Sequence, residues 1–243
     1  MLRYLINFLY PPRCAACARR FPPDAARRVC AACIARIERL PEPLCAVCGI
    51  PLSTDNDRAS GWCGLCTESP PHFSHARAIA RYRAGAEEDT QVVPSLIRRH
   101  KYGLDQSPAH ALAECLGETL PINGADYDLV LPVPLHNSRL RWRGFNQAAL
   151  LGIVVARRLE RPFDAGSLVR IRATDPQTGQ SMRERRDNIR RAFAVTRPGR
   201  VANRSVLLID DVMTTGATVD ECARTLLDAG ARRVGVLTLA RAV

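Results

Sequence analysis

The stretch Val206-Leu207-Leu208-Ile209-Asp210-Asp211-Val212-Met213-Thr214-Thr215-Gly216-Ala217-Thr218 reads as a buried strand, two acids and a small-residue turn that opens a helix. The run Ser205–Ile209 is apolar enough to lie inside a sheet. It delivers Asp210 and Asp211 to the sheet's carboxyl edge, where open α/β sheets bind ligands. Adjacent carboxylates at such an edge are costly unless a ligand uses them, and sugar hydroxyls or a metal-bound diol are their natural partners. Thr214, Thr215, Gly216 and Thr218 then lead into a helix over Thr218–Ala229, ended by Gly230. Backbone N–H groups of such a turn, joined to the helix N-terminus, cradle a phosphate without a cationic side chain. Acids just before a phosphate nest match ribose 5-phosphate, with the carboxylates on the 2′ and 3′ hydroxyls. A nucleotide P-loop would need Gly-x-x-x-x-Gly-Lys-Ser/Thr, which the chain lacks. Paired acids also mark phospho-acceptor and magnesium sites, but those do not demand Thr-Thr-Gly-x-Thr. A plain helix cap is the structural alternative.

Outward from this loop, apolar patterning predicts strands over Ala76–Tyr82, Asp128–Pro134 and Val234–Ala240. Helices are expected over Gln91–Tyr102, Ala109–Thr119 and Asn146–Leu159. Strands alternating with helices give an α/β fold with a mostly parallel sheet flanked by helices. Residues 172–192 are polar, Arg-rich and without apolar periodicity, which predicts a mobile loop. Texture changes near Phe73, so the chain divides into a small N-terminal domain over 1–72 and an α/β domain over 73–243.

The small domain holds four Cys-x-x-Cys pairs: Cys14/Cys17, Cys30/Cys33, Cys45/Cys48 and Cys63/Cys66. Twelve residues separate the first two pairs and 14 the last two, a repeat suited to tetrahedral zinc with thiolates about 2.3 Å from the ion. A loop-rich region this short buries little apolar surface and needs such staples. Sequential pairing would group Cys14, Cys17, Cys30 and Cys33, then Cys45, Cys48, Cys63 and Cys66. A cross-brace of alternate knuckles fits the spacing equally. Gly49 and Gly64 each follow a cysteine where a tight knuckle wants φ > 0. Four thiolates leave no open position for a water nucleophile, so the expected role of zinc is structural. Cys115 and Cys222 fall in helical patterns and read as buried small apolar residues.

Charge is unevenly spread. Residues 136–205 carry 16 basic and 5 acidic side chains, so this block alone matches the whole chain's net charge of +11. That concentration suits a polyanion, either clustered phosphates or a nucleic-acid backbone, or else forms an Arg-rich solvated surface. Of 35 basic residues only Lys101 is a lysine. Its retention marks a place where a compact ammonium is needed, or it is chance. No apolar run reaches the roughly 18 residues of a membrane span. The opening Met1–Tyr10 is expected to form a short amphipathic helix, not an export signal, which places the protein in the cytoplasm.

The Val206–Thr218 segment resembles the phosphoribosyl pyrophosphate (PRPP) motif of type I phosphoribosyltransferases. Pro132-Val133-Pro134-Leu135-His136, the string Arg139-Leu140-Arg141-Trp142-Arg143-Gly144-Phe145-Asn146-Gln147, Pro176-Gln177 and Arg183 through Asn188 together resemble the ComF competence family. The likeness covers essentially the whole chain. It implies an N-terminal double zinc ribbon joined to a type I phosphoribosyltransferase-like sheet. Carried over, Asp210 and Asp211 would hold the ribose diol, and Val212, Met213, Thr214, Thr215, Gly216, Ala217 and Thr218 the 5-phosphate loop. The loop after strand Leu129–Pro134 would place Arg139 or Arg143 near the diphosphate. Leu96–Tyr102 resembles the family's apolar-x-x-x-Lys-Tyr segment, which assigns Lys101 a pyrophosphate role. Residues 172–192, with Arg183, would be a hood closing over PRPP. Mg²⁺ would bridge the diphosphate. The resemblance leaves two functions open. One is catalytic transfer to an unknown acceptor, with Trp142 or Phe145 stacking on a base or merely packing. The other is a PRPP-binding adaptor in DNA uptake, partnered by single-stranded DNA or a helicase.

Overall fold

A computed structural model describes residues 11–22, 27–83, 91–102, 107–116, 120–173 and 187–243, with side chains at 98–102, 107–110 and 143 excluded. Its strands are β1 (His75–Tyr82), β2 (Leu129–Pro132), β3 (Leu168–Arg170), β4 (Phe193–Val195), β5 (Ser205–Met213) and β6 (Arg233–Ala242). The helices are α1 (Ala31–Ala35), α2 (Asp55–Ser60), α3 (Gly64–Glu68), α4 (Val92–Tyr102), α5 (Ser107–Cys115), α6 (Asn137–Arg143), α7 (Gln147–Leu159), α8 (Pro198–Val201) and α9 (Ala217–Asp228). A parallel sheet in the order β1-β6-β5-β2 forms the centre. The fold is the expected α/β architecture.

Alternation along the strands builds two cores. On one face Leu129, Leu131, Val206, Leu208, Val234 and Val236 meet α9, the β3–β4 hairpin and the second cysteine repeat. On the other, Val130, Leu207, Ile209, Leu237 and Leu239 meet α4, α5, α7 and the first repeat. Both sheet edges are covered, which removes the hazard of an open edge. Along β1 the Ala76 N–H donates to Val47 O at 2.6 Å, and the Arg81 N–H to Glu38 O at 2.8 Å. Along β2 the Val130 N–H donates to Pro162 O at 2.9 Å, and the Asp164 N–H to Val130 O at 3.1 Å.

Several expectations shift. Strand β5 does not stop at Ile209 but continues to Met213, because β6 extends far enough to pair Asp210 with Thr238 and Met213 with Arg241. The segment after β2 is largely the helix α6, capped by the His136 side chain, which accepts from the Ser138 N–H, and ended by Gly144 in the left-handed region. The basal parts of 172–192 are ordered. Ile189 and Ala192 are buried, and β3 and β4 pair antiparallel, though three-residue strands are too short to show alternation in sequence. Gly49 has φ +68°, and a Cβ there would lie 2.5 Å from Ala76 O. Gly64 has no positive φ; it opens α3, and the turn before it is made by Gly61 at φ +72°. The opening 1–10, 174–186 with Pro176, Gln177 and Arg183, and 117–119 lie outside the described residues.

Candidate functional site

The loop after β5 is shaped from beneath. Gly216 has φ +82° and forms the N-cap of α9 with no side-chain capping bond. A Cβ at this position would meet Met213 Cε at 2.8 Å, so the methionine lies directly behind the turn. Met213, Gly216 and Ala217 are buried, Thr215 and Thr218 half-buried and Thr214 exposed. The N–H groups of Thr214, Thr215, Gly216 and Thr218 donate to no acceptor among the described residues, and the Ala217 N–H reaches only Thr215 Oγ1 at 3.4 Å. A turn with such donors at the start of a 12-residue helix is a preorganised anion nest. The two acids stand half-buried just before it. Asp210 Oδ1 accepts from the Asp211 N–H at 2.8 Å, and Asp211 Oδ1 from the Val212 N–H at 2.7 Å.

Arg241, which sequence reasoning missed, fixes this loop. It is 6% exposed at the end of β6, and its Nη1 donates to Met213 O at 3.1 Å and to Thr214 O. No carboxylate pairs with it among the described residues. A buried guanidinium is costly unless hydrogen-bonded, and here the loop carbonyls satisfy it in part. The only signal in the sequence was an arginine inside an otherwise apolar final strand.

The basic side of the site is built by α6 and the hairpin. Asn146 Nδ2 donates to Val133 O at 3.0 Å while Asn146 Oδ1 caps α7, so this one residue ties the Arg-Gly-Phe-Asn-Gln turn to the end of β2. His136 bridges to Arg170 backbone to backbone. Arg170, also missed, stacks its guanidinium over Phe193 at 5.5 Å. Burial, then the charge of neighbouring Arg139, lowers the pKa of Arg170, while Cys222 and Asp210 pull the other way. Arg139, Arg170 and Asp210 are therefore electrostatic neighbours, and a diphosphate would relieve the Arg–Arg repulsion. Arg143 belongs to α6 and Lys101 to α4, but their side chains lie outside the described set, as does Arg183 entirely. Trp142 is 67% exposed, which excludes the core-packing reading for it.

The cysteines form two clusters in sequential order, Cys14, Cys17, Cys30, Cys33 and Cys45, Cys48, Cys63, Cys66, each with its sulfurs within 4.8 Å of one another. The cross-brace grouping is not formed. Tetrahedral Zn–S bonds of about 2.3 Å require sulfurs about 3.8 Å apart. Cys17 to Cys30 is 3.8 Å and Cys48 to Cys63 is 3.6 Å, so both sets fit the ion. The sequence repeat is a structural one. The Cys30 N–H donates to Cys14 Sγ at 3.3 Å and the Cys63 N–H to Cys45 Sγ at 3.4 Å. At Cys14 and Cys45 burial opposes ionisation, but backbone N–H donors outweigh it and bring each pKa down to about 7. Burial first, then neighbouring sulfurs, push Cys33 and Cys66 up. Cys115 and Cys222 are fully buried and separate from both clusters.

Two family models match separate parts of the chain. A family model described as "Double zinc ribbon domain" matches residues 5–67, and one described as "Phosphoribosyl transferase domain" matches residues 147–242. "DNA utilization protein YhgH" of Escherichia coli K12 is 33% identical over 224 residues, covering 88% of this chain and 90% of its own. "Competence protein ComFC" of Bacillus subtilis is 27% identical over 218 residues, covering 88% and 84%. The chain belongs to the ComF competence family. A further ComF relative, "Competence protein F" of Haemophilus influenzae, is 29% identical over 220 residues, covering 88% and 90%. Among solved structures the likeness to a glutamine PRPP amidotransferase of B. subtilis is slight, with TM-score 0.34 and 20% identity over 63% of this chain and 29% of that one. No helix among the described residues of this ComF-family chain is long and apolar enough to cross a membrane.

Proposed function

We propose that this ComF-family chain binds PRPP with Mg²⁺ at the end of β5 and serves DNA uptake or DNA processing, with zinc in both cysteine clusters as structural support. The observation that carries the reading is the nest of N–H donors from Thr214 to Thr218, set directly behind two half-buried acids at the carboxyl edge of a parallel sheet. Asp210 and Asp211 hold the ribose diol, the loop takes the 5-phosphate, and Arg139 and Arg170 face the diphosphate. Lys101, Arg143 and Arg183 join them on the resemblance alone. Mg²⁺ bound with the ligand would neutralise part of the diphosphate charge. The residues 1–72 are the ribbon part and 73–243 the ligand-binding part. The relatives' names supply the DNA context, and the Arg-rich block of 136–205 supplies a surface for a single strand.

Titration calorimetry with PRPP and Mg²⁺ tests the site. The Asp210→Asn, Asp211→Asn variant is expected to lose measurable PRPP affinity while keeping two zinc ions per chain. Unchanged affinity in that variant removes the assignment. The electrostatic influence of Arg139 and Asp210 on Arg170 favours a second reading, catalytic transfer. In that case pyrophosphate release from radiolabelled PRPP exceeds its no-acceptor rate for some nitrogen base in a broad panel. A rate equal to the no-acceptor rate throughout favours the adaptor.

A further inference from the structure

The second cysteine cluster sits against the phosphate loop, whereas the first does not. Cys48 and Cys66 line one small cavity with Met213, Thr215, Gly216 and Arg241. Its volume is about 40 Å³, room for a few water molecules, so knuckle and loop form opposite walls of one narrow cleft. Cys45, Cys48, Cys63 and Cys66 belong to the same buried core as Met213 and Ala217. The first cluster's Cys14, Cys30 and Cys33 pack instead with Leu112 and Cys115 on the opposite face of the sheet. A strap closes the contact: directly after the ribbon, the His72 N–H donates to Asp220 Oδ1 at 2.6 Å and His72 Nδ1 lies 3.0 Å from the same oxygen, on the first turn of α9. The loop itself has little of its own to hold it, since α9 has no side-chain cap.

We infer that the second cysteine cluster is a positioning element of the phosphate loop, holding it through Met213, Arg241 and the His72 strap, so that metal retention there and ligand binding on the loop reinforce each other. The first cluster stands outside this coupling. The inference rests on the PRPP-binding reading above and uses the zinc whose ligand geometry both clusters fit. Coupling between two sites is reciprocal, so a ligand that prefers the ordered loop must also slow the loss of metal from the cluster behind it. Arg241 belongs to the same device: it donates to the loop carbonyls from the cavity wall shared with the knuckle, and its Nε has no partner among the described residues.

The test uses the full chain loaded with zinc and a metallochromic chelator, with and without PRPP and Mg²⁺. PRPP binding is followed separately by calorimetry. Cys17, the exposed ligand of the first cluster, is changed in Cys17→Ser to leave the second cluster as the remaining metal site. PRPP is expected to slow zinc release about tenfold in Cys17→Ser and to slow half of the release in the parent chain, a coupling of ordinary size. Arg241→Met, which keeps bulk but no donor, is expected to lower both PRPP affinity and this protection. Zinc release insensitive to PRPP, with calorimetry showing PRPP bound, overturns the inference and leaves the proposed function standing. Equal protection of both clusters in the parent chain also overturns it. Absence of PRPP binding in calorimetry overturns the proposed function itself, and the coupling with it.

Discussion

At the scale of single residues, backbone conformation sets the cost of a change at one position and hydrogen bonding sets it at another. Gly216 combines φ +82° with Met213 Cε at 2.8 Å from where a Cβ would stand. Gly216→Ala is therefore expected to cost about 1–3 kcal/mol in denaturant unfolding and to weaken PRPP binding further, because a side chain strains the backbone at that φ while the tip of Met213 moves aside. Loss of PRPP affinity without loss of stability would contradict that account. Asp164 is a second such position, with a side chain 4% exposed. It accepts from Ser167 Oγ at 2.6 Å and from the Gly166 N–H at 2.7 Å, and Arg200 Nε lies 3.4 Å away. Burial pushes its carboxyl up, but the Ser167 and Gly166 donors outweigh that and hold it below the usual carboxylate value. A depressed carboxylate contributes stability that is full above its unfolded pKa, near 3.9, and is lost as pH falls through the folded value. Asp164→Ala, which strands those donors, is expected to cost about 2–3 kcal/mol at pH 7 and less at pH 3, measured by urea unfolding at both. The acids and the Thr-Gly turn were legible in sequence because their chemistry is local. Arg241 and Arg170 were not, because their meaning comes from carbonyls and charges brought in by other elements.

At the scale of elements, apolar runs long enough to show a period told the truth about β1, β5, β6 and α7, to within a few residues at their ends. What escaped was short or conditional. β3 and β4 exist because they pair with each other, and α6 exists because His136 and Gly144 cap a seven-residue, mostly polar segment between them. Spacing showed the ribbons as a repeat but not their pairing, since sequential and crossed knuckles have the same separations. The packed structure decides it by burying each set in a different core. Metal bound there would be part of each element's folding energy, since four clustered thiolates repel one another without an ion. Prolonged chelation at neutral pH is expected to remove two zinc ions per chain and to lower the thermal midpoint, with ribbon amides losing hydrogen-exchange protection before those of β5 and β6. A midpoint unmoved after full metal loss would mean that the ribbons are held by packing alone.

At the scale of the whole molecule, the composition boundary near residue 72 separates cysteine-rich from α/β sequence, yet the buried cores run across it. Val47, Leu52 and the second cluster complete the core under α9, and Val29, Ile37 and the first cluster complete the one under α5. Polar links cross as well. Glu114 accepts from the Arg28 and Val29 N–H groups at 2.7 and 2.8 Å, and Arg39 Nη1 donates to Ile79 O at 3.1 Å. Ribbon backbone also occupies the outward N–H groups of Ala76 and Arg81, which would otherwise leave β1 an open edge. Burying one aliphatic side chain of this kind is worth about 1.5–3 kcal/mol, and a typical domain has a net stability of only about 5–15 kcal/mol. Removing several such side chains together with an edge cover exceeds what the sheet can spare. A fragment comprising residues 73–243 is therefore expected to associate through β1 and to lack a cooperative thermal transition, as measured by circular dichroism and light scattering, whereas the full zinc-loaded chain melts cooperatively. A monomeric fragment that melts cooperatively near the full chain's midpoint would show that the ribbons sit on a finished domain. In that case the second cluster's contact with the phosphate loop would contribute to ligand binding without being needed for the fold.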